Sequence, residues 1–360
     1  MKRTGPSSLL ARLRIDPYVL ALLAVVGLAS ILPCRGQTAV VLSGAANAGI
    51  ALLFFLYGGR LAREVIVAGM TQWRLQVVVL LATFVLFPAL GLGLRALLER
   101  LGQPEPLLAG ILYLSVLPST VQSSIAFTSV ARGNIPAAIC SATVSNLAGV
   151  FLTPLLVALL LGAGDGAAGS LDAVGKIVAY LLVPFVVGHL LRPFTLGWLE
   201  RNKAWLGWID RGSILFIVYI AFSEGVVGGI WHQLPPRSIA VLIVASGLLL
   251  GAVMMILTLV SRRLGFSKED EIAIVFCGSK KSLASGLPMA KLLFTGPSVG
   301  LTVLPLMLFH QLQLMVSAAL ARSYAQRAED GRPGHDPNHD PKRSNDKRSN
   351  DRERPTDREA

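Results

Sequence analysis

Residues 276–288 read FCGSKKSLASGLP and place two adjacent lysines, Lys280 and Lys281, inside one of the most apolar parts of the chain. The residues EIAIV precede this stretch, and MAKLLF follows it. A lysine at the centre of a membrane helix costs about 3 kcal/mol on insertion scales, and such residues usually have a function. The stretch therefore predicts a polar site inside a membrane-embedded segment.

The composition of the whole chain is that of a helical membrane protein. Of 360 residues, 53% are hydrophobic and only 15% are charged, whereas about a quarter of the residues of a soluble domain are charged. Apolar stretches of about twenty residues, long enough to cross a bilayer as helices, recur from Pro17 to Ala321. They are continuously apolar rather than alternating, which argues against a β-barrel.

We predict an all-α integral membrane protein with about ten transmembrane helices. The predicted spans are 17–33, 41–59, 75–97, 106–131, 135–162, 171–191, 212–230, 238–261, 271–294 and 298–321. Five spans in 17–162 and five in 171–321 would run in opposite directions, as in an inverted repeat. Residues 1–16 are predicted to be a cytoplasmic N-terminus, and the polar residues 323–360 a disordered cytoplasmic tail.

The basic residues predict the orientation of the chain. The net charge is +12, and most arginines and lysines of the loops fall in connections 60–74, 132–134, 192–211 and 262–270. Basic loops stay on the cytoplasmic side, so both chain ends are predicted to be cytoplasmic, in a multi-pass cell membrane protein of the bacterial inner-membrane type. A nucleic-acid partner is not expected, because the basic residues lie between apolar segments and the tail mixes both signs. The lipid bilayer is the expected surrounding.

A second polar interruption lies in the fourth span, which is the counterpart of the ninth in the repeat. Residues 117–133 read LPSTVQSSIAFTSVARG, and Pro118 removes a backbone donor where a helix would continue. The sequence therefore predicts that helices four and nine are broken within the membrane. Broken helices free carbonyl and N–H groups for ions or anions near the midplane. A Ser/Gly-rich helix interface is the alternative for either segment alone.

Candidate residues for substrate or ion binding lie at both interruptions. They are Ser119, Thr120, Gln122, Ser123 and Ser124 in the fourth span, and Ser279, Lys280, Lys281 and Ser282 in the ninth. Adjacent helical residues point about 100° apart, so at most one lysine is expected to face the site. Glu224 in VYIAFSEGVVGGI is the candidate counter-charge, because it is an acidic residue well inside a span. A carboxyl group near the outer interface is the alternative for Glu224.

The ten-span plan, the two broken spans and the motif GHLLRPF…GWIDRGSILFIVYIAFSEGV, at 188–194 and 207–226, resemble the bile acid:sodium symporter family, and most closely its divergent branch. The resemblance covers approximately residues 17–321. It implies a secondary transporter with sodium sites where the broken helices cross. The wider family carries bile acids, steroid sulfates and other organic anions, so the resemblance does not fix the substrate.

The resemblance also implies sodium ligands: Ser, Asn and Thr in spans four and five, Gln in span three, and Glu with a nearby Gln in span nine. Carried over position by position, Ser123, Ser124 and Thr143 retain part of the first site as weak sodium candidates. Thr83 stands where the Gln of span three would be, and GSKKS at 278–282 replaces the acidic residue and its Gln. This departure puts sodium coupling in doubt, above all at the second site.

The two lysines suggest how such a site could work. A fixed ammonium can replace a bound cation electrostatically. We hypothesise that Lys280 or Lys281 takes the place of a coupling cation, so that transport is sodium-independent or proton-linked, with Na⁺ and H⁺ as the candidate coupling ions. Alternatively, the ammonium pairs with the carboxylate or sulfate of the substrate. No other cofactor is expected.

The predicted function is a symporter-like secondary active transporter for a small organic anion, with bile-acid-like anions among the candidates, working by alternating access. Two other classes remain open. One is a membrane-embedded hydrolase in which Ser279 or Ser282 is the nucleophile and a lysine is the base. The other is a membrane regulator that transports nothing. The sequence favours a protein that is not an enzyme.

Overall fold

The computed structural model describes residues 17–60, 72–161, 178–229, 235–294, 296 and 298–330. Within these residues every regular element is helical. The helices are α1 (Pro17–Ile31), α2 (Gly36–Arg60), α3 (Trp73–Arg100), α4 (Glu105–Val116), α5 (Gln122–Val130), α6 (Ile135–Leu161), α7 (Val183–Leu190), α8 (Arg192–Arg201), α9 (Lys203–Val227), α10 (Pro236–Arg263), α11 (Lys268–Gly278), α12 (Leu283–Leu293) and α13 (Val299–Asp330). A π-helical turn, Ala82–Leu86, lies within α3, and another, Val178–Leu182, precedes α7.

Six of the described helices are long and apolar enough to cross a membrane: α2, α3, α6, α9, α10 and α13. Their outer faces are apolar as well. On α10, the side chains of Val244, Leu248, Met255 and Leu259 follow helical spacing and are each more than half exposed. A continuous exposed apolar face of this kind suits contact with lipid. The structure therefore agrees with the predicted class, a helical membrane protein with several spans.

Contacts between helices divide the bundle into two groups. The first group contains α1, α2, α7 and α9, in which α2 packs on α7 and α9, and α1 packs on α9. The second group contains α3–α6 and α10–α13, in which α4 packs on α3 and α13, and α11 packs on α5, α6 and α10. The two groups meet chiefly where α9 packs against α12 and α13.

Helices α2 and α7 cross so closely that only glycine fits at the crossing. A Cβ atom on Gly58 would collide with the carbonyl oxygen of Phe185, and one on Gly188 would collide with that of Phe55. Small residues are typical of helix crossings in membranes, where close backbone approach supplies the packing energy. This crossing fixes α7 against α2 within the first group.

Helix α8 is the largest departure from the predicted spans. Residues 192–211 were predicted to be a connection, but they form α8 and the first turns of α9. Helix α8 turns 91° away from the helix before it. The side chains of Phe194, Trp198, Trp205 and Trp208 are at least half exposed. Aromatic and basic residues suit a helix lying along the membrane surface as well as a loop, which is why composition alone did not separate the two.

The chain ends are described only in part. The predicted N-terminal segment 1–16 and residues 331–360 of the predicted tail lie outside the described residues. Helix α13 continues to Asp330, past the predicted end of the last span at 321. The helix thus includes polar residues that sequence analysis assigned to the tail.

The helix is interrupted at both places where the sequence predicted an interruption. Helix α4 ends at Val116 and α5 begins at Gln122, while α11 ends at Gly278 and α12 begins at Leu283. Pro118 lacks the N–H that would continue α4, and the residue before it is extended (φ −72°, ψ 152°). The hydroxyl of Ser282 caps α12 by accepting the N–H of Ser285 (3.2 Å).

Candidate functional site

The two helix breaks lie against each other. The N–H of Ser282 donates to the carbonyl oxygen of Pro118 (2.8 Å), and the hydroxyl of Ser119 donates to that of Cys277 (2.6 Å). A helix end leaves backbone groups without helical partners. Here each break supplies partners for the other, so the two interruptions form a single crossing.

Helix α6 supports the crossing from one side. The amide of Asn146 donates to the carbonyl oxygen of Ser119 (2.5 Å) and accepts the hydroxyl of Ser285 (3.0 Å), so one side chain bonds to both broken segments. Three residues further along α6, a Cβ atom on Gly149 would lie 2.6 Å from the ring of Pro118. Glycine is therefore required for α6 to approach the first break.

The ammonium of Lys281 occupies the crossing. Its side chain is fully buried, and Nζ donates to the carbonyl oxygens of Thr83 (2.9 Å), Ser115 (2.7 Å) and Leu117 (2.8 Å). An ammonium has three N–H donors, so these three carbonyls satisfy it completely. The Phe87 ring lies on another side, with its centre 4.1 Å from Nζ. We refer to these three carbonyl oxygens as the carbonyl cage.

Local backbone geometry explains why the three oxygens are available. In the π-helical turn of α3, the N–H of Phe87 bonds to Ala82, and Pro88 has no N–H, so the carbonyl of Thr83 lacks a helical donor. The other two carbonyls belong to the end of α4, where helical donors run out at the break. A π-turn and a broken helix together build the cage.

The backbone of Lys281 is also held in place. The Gln313 side chain is fully buried; its Oε1 accepts the Lys281 N–H (2.8 Å) and its Nε2 donates to the Lys281 carbonyl oxygen (2.9 Å). Nε2 also lies 2.8 Å from Nδ1 of His310. Both ends of the lysine are therefore fixed, its backbone by α13 and its ammonium by α3 and α4.

Lys280 is equally buried but has a different environment. Its Nζ donates to the carbonyl oxygen of Ser123 (2.9 Å) and lies 4.1 Å from the ring centre of Phe127 and 5.0 Å from that of Phe276. These contacts combine one hydrogen bond with cation–π interactions. Only Lys281 reaches the cage; Lys280 faces α5.

Three candidate hydroxyl groups cluster at the start of α5. Oγ1 of Thr120 lies 2.6 Å from Oγ of Ser123 and 3.2 Å from Oγ of Ser124. Thr143 instead donates its hydroxyl to a carbonyl one turn earlier in its own helix, and Gln122 is exposed. A sodium-binding role for Ser123, Ser124 and Thr143 stays a prediction.

The serines of the second break do not form a Ser/Lys pair. Ser279 is fully buried, and its hydroxyl has no hydrogen-bond partner among the described residues. The Ser282 hydroxyl lies 3.1 Å from that of Ser285. Both lysine ammonium groups donate to backbone carbonyls, so neither is placed to activate a serine.

The prediction that Glu224 is the counter-charge of Lys280 or Lys281 is wrong. The carboxylate of Glu224 pairs with Lys291 (Nζ to Oε1, 2.5 Å). Glu224 lies in the last turn of α9 and Lys291 in the last turn of α12, so both reach the same end of the bundle. Lys281 precedes the first turn of α12, at the other end of that helix from Lys291, and its ammonium donates to backbone carbonyls instead.

A cavity of about 580 Å³ opens beside this ion pair, a size that suits a small organic molecule. Its lining joins α2 and α9 of the first group to α12 of the second. The polar lining residues include Arg35, Ser43, Asn47, Tyr180, Glu224 and Lys291, and the apolar ones include Ala39, Val227, Leu292 and Phe294. The described lining thus includes two basic groups, Arg35 and Lys291, and one carboxylate, Glu224.

The opposite end of the second group is held by an ion cluster. The carboxylate of Glu271 is nearly buried and pairs with Arg262 (3.1 Å) and Lys268 (2.6 Å). The hydroxyl of Tyr324 also donates to it (3.1 Å). Helices α10, α11 and α13 are thus joined at the end remote from the cavity.

Comparison with known proteins identifies relatives along most of the chain. A model of the SBF-like CPA transporter family matches residues 16–326. An uncharacterized protein of Pseudomonas aeruginosa is 58% identical over 315 residues, and "Putative symporter YfeH" of Escherichia coli strain K12 is 52% identical over 315; each match covers 88% of this chain and 94% of the relative. Sodium/bile acid cotransporter 7-B of Xenopus laevis is 28% identical over 318 residues, which cover 87% of this chain and 92% of that protein.

Proposed function

This chain belongs to the SBF-like CPA transporter family, and we propose that it is a secondary transporter that carries a small organic anion across the membrane. The observation that carries the proposal is the crossing of two broken helices, in which a buried ammonium and backbone groups satisfy one another. Crossed half-helices provide polar groups at mid-depth without exposing them to lipid. Such a site is useful to a transporter and costly for a purely structural bundle.

The proposed architecture is the ten-span inverted repeat. Residues 17–162 would form one five-helix unit and residues 171–321 the other, with α4/α5 and α11/α12 as the corresponding broken spans. The position of a break in both halves, and the contact between the two breaks, support this assignment.

The proposed substrate is an anion with an apolar body. The cavity offers Lys291 and Arg35 for a carboxylate or sulfate, and aliphatic and aromatic side chains for the rest of the molecule. Bile-acid-like anions have this combination, and some relatives carry the name sodium/bile acid cotransporter. The substrate class therefore rests on the chemistry of the cavity together with the names of distant relatives.

Alternating access would move the first helix group against the second. The pair between Glu224 and Lys291 crosses the boundary between the groups, so it must break when they move apart. A substrate anion can replace Glu224 as the partner of Lys291. Substrate binding would then lower the cost of the movement.

The proposed orientation has both chain ends in the cytoplasm and the cavity open to the outside. The broken pair α11/α12 runs from Lys268 at one end to Lys291 at the cavity end. Arg74 bonds to the carbonyl oxygen of Leu264 at the same end as Lys268 and Arg262. A concentration of basic residues at that end favours the cytoplasmic side.

The test is counterflow in proteoliposomes. Organic anions are first screened for those that raise the Tm of the purified protein, because ligands of the native state stabilise it. A labelled stabilising anion should then accumulate transiently in vesicles preloaded with the unlabelled one. If no stabilising anion shows counterflow, the transporter proposal is wrong, and a regulator without transport becomes the better explanation.

A further inference from the structure

We propose that the carbonyl cage around Lys281 is a monovalent-cation site that the ammonium of the chain itself occupies permanently. Shortening Lys281 should therefore turn the cage into a site that sodium ions can fill. The transport consequence rests on the proposed function, whereas the cage can be tested by binding alone.

The geometry of the cage is that of a cation site. Three backbone carbonyl oxygens lie 2.7–2.9 Å from one point, the Nζ atom of Lys281. They come from two helices, α3 and α4, while the ammonium comes from the break between α11 and α12. Carbonyl oxygens that converge in this way replace the hydration shell of a cation.

The neutral oxygens of the cage favour a monovalent ion over a divalent one. Among the described residues, no carboxylate contacts the ammonium of Lys281; Glu224 and Glu271 pair with other cations. The positive charge is balanced by neutral carbonyl dipoles, by the negative end of α4 and by the face of the Phe87 ring. Calcium and magnesium sites are usually built with carboxylates, so a neutral oxygen set favours a single charge.

Two structural features leave these carbonyl oxygens without helical donors, whichever residue occupies position 281. The π-turn and Pro88 leave the Thr83 carbonyl without a helical donor, and the break after Val116 exposes the carbonyls at the end of α4. These oxygens need a donor or a cation whether or not residue 281 is a lysine. Removing the ammonium therefore leaves a preformed space within the carbonyl cage, lined by oxygens.

Lys280 provides a matched control in the adjacent position. It is equally buried, but its ammonium has one carbonyl partner and two aromatic rings. Removing the side chain of Lys280 would leave a space with one carbonyl oxygen and two aromatic rings, where a single oxygen cannot replace the hydration shell of sodium. Sodium should therefore stabilise Lys281→Ala but not Lys280→Ala.

The experiment measures the Tm of purified protein in sodium, potassium and choline chloride at equal ionic strength. The wild type should show no sodium-specific change. Lys281→Ala should be stabilised by sodium in a saturable manner, with no effect of choline. Lys280→Ala should show no sodium-specific stabilisation, and neither should Lys281→Met, because its apolar side chain fills the cage.

Several outcomes would overturn the proposal. Sodium-specific stabilisation of Lys281→Ala that is no greater than that of the wild type would mean that sodium binds elsewhere and that the cage is not a cation site. A folded Lys281→Ala whose Tm responds to neither sodium nor potassium would show that the cage is not a cation site. Lys281→Ser, whose hydroxyl adds an oxygen ligand, is the second variant. If neither shortened variant is recovered folded even in sodium, the proposal also fails, because sodium should fill the site.

The experiments distinguish failure of the cage proposal from failure of the transporter proposal. If counterflow is absent but Lys281→Ala responds to sodium, the cage proposal survives without transport. If counterflow is present but sodium does not stabilise that variant, the transporter proposal holds and Lys281 has only a structural role. If both hold, wild-type counterflow should have the same rate in sodium and in choline.

Discussion

At the scale of single residues, the crossing depends on one ammonium. Lys281→Met removes the donors of three buried carbonyls, and each unpaired buried group costs about 1–3 kcal/mol. We expect the free energy of unfolding to fall by at least about 3 kcal/mol, measured as a fall in Tm in detergent. Lys280→Met loses a single carbonyl contact and should fall less. A greater loss in Lys280→Met would contradict this account of the crossing.

The pair between Glu224 and Lys291 yields a prediction about binding. If the anion replaces Glu224, Lys291→Gln should abolish stabilisation by the anion, whereas Glu224→Gln should keep or strengthen it by removing a competing carboxylate. Thermal shift against anion concentration measures both. Arg95→Gln is the matched control, because it breaks an ion pair with Glu105 away from the cavity. If the two variants changed stabilisation by the anion equally, the ion pair between Glu224 and Lys291 would have only a structural role.

The two lysines stand out in the sequence, but their partners do not. A charged side chain is the expected partner of a buried ammonium, which favoured Glu224, whereas Lys281 is satisfied by backbone carbonyls. The positions of helix breaks and of the π-turn decide which carbonyls are available, and the amino-acid sequence does not show these positions directly. Pro88, five residues after Thr83, was the available signal, because it removes the donor that a π-turn would offer.

At the scale of elements, the π-turn of α3 can be tested through Pro88. Replacing a proline inside a helix by alanine is normally stabilising, since proline costs about 3 kcal/mol there. Here Pro88→Ala supplies an N–H that competes with Lys281 for the carbonyl of Thr83. We therefore expect Pro88→Ala to lower the Tm, while Pro154→Ala inside α6 leaves it unchanged or raises it. Equal gains in both variants would show that Pro88 has no part in the cage.

Element boundaries were predictable where one local rule dominates. Pro118 predicted the break between α4 and α5, because proline has no N–H to continue the helix. The serines after it were expected to cap the next helix, but α5 begins after Val121 without a side-chain cap. Helix α8 was missed because Phe194, Trp198 and its two arginines give it the composition of either a loop or a surface helix. Its direction depends on the 91° bend, which hydropathy does not encode.

At the scale of the whole molecule, the orientation can be tested by thiol labelling. In a background with Cys34, Cys140 and Cys277 replaced, Gln37→Cys at the cavity end should react with an impermeant reagent added outside intact cells. Glu269→Cys at the basic end should react only after the membrane is opened. Both positions are exposed in the structure, so a missing reaction reports the side of the membrane. The reverse labelling pattern would overturn the proposed orientation.

Alternating access requires that the two helix groups move relative to each other, and their boundary runs through the cavity. Val227 ends α9 in the first group, and Phe294 follows α12 in the second; both line the cavity. In the double variant Val227→Cys/Phe294→Cys, a cleavable bifunctional thiol reagent should stop counterflow, and reduction of the linker should restore it. A monofunctional reagent on the same cysteines separates blocking of the cavity from locking of the groups.

The control, Arg95→Cys/Glu105→Cys, joins α3 to α4 within the second group and should keep its counterflow after cross-linking. Counterflow that continues after complete cross-linking of the first pair would mean that substrate crosses without movement between the groups.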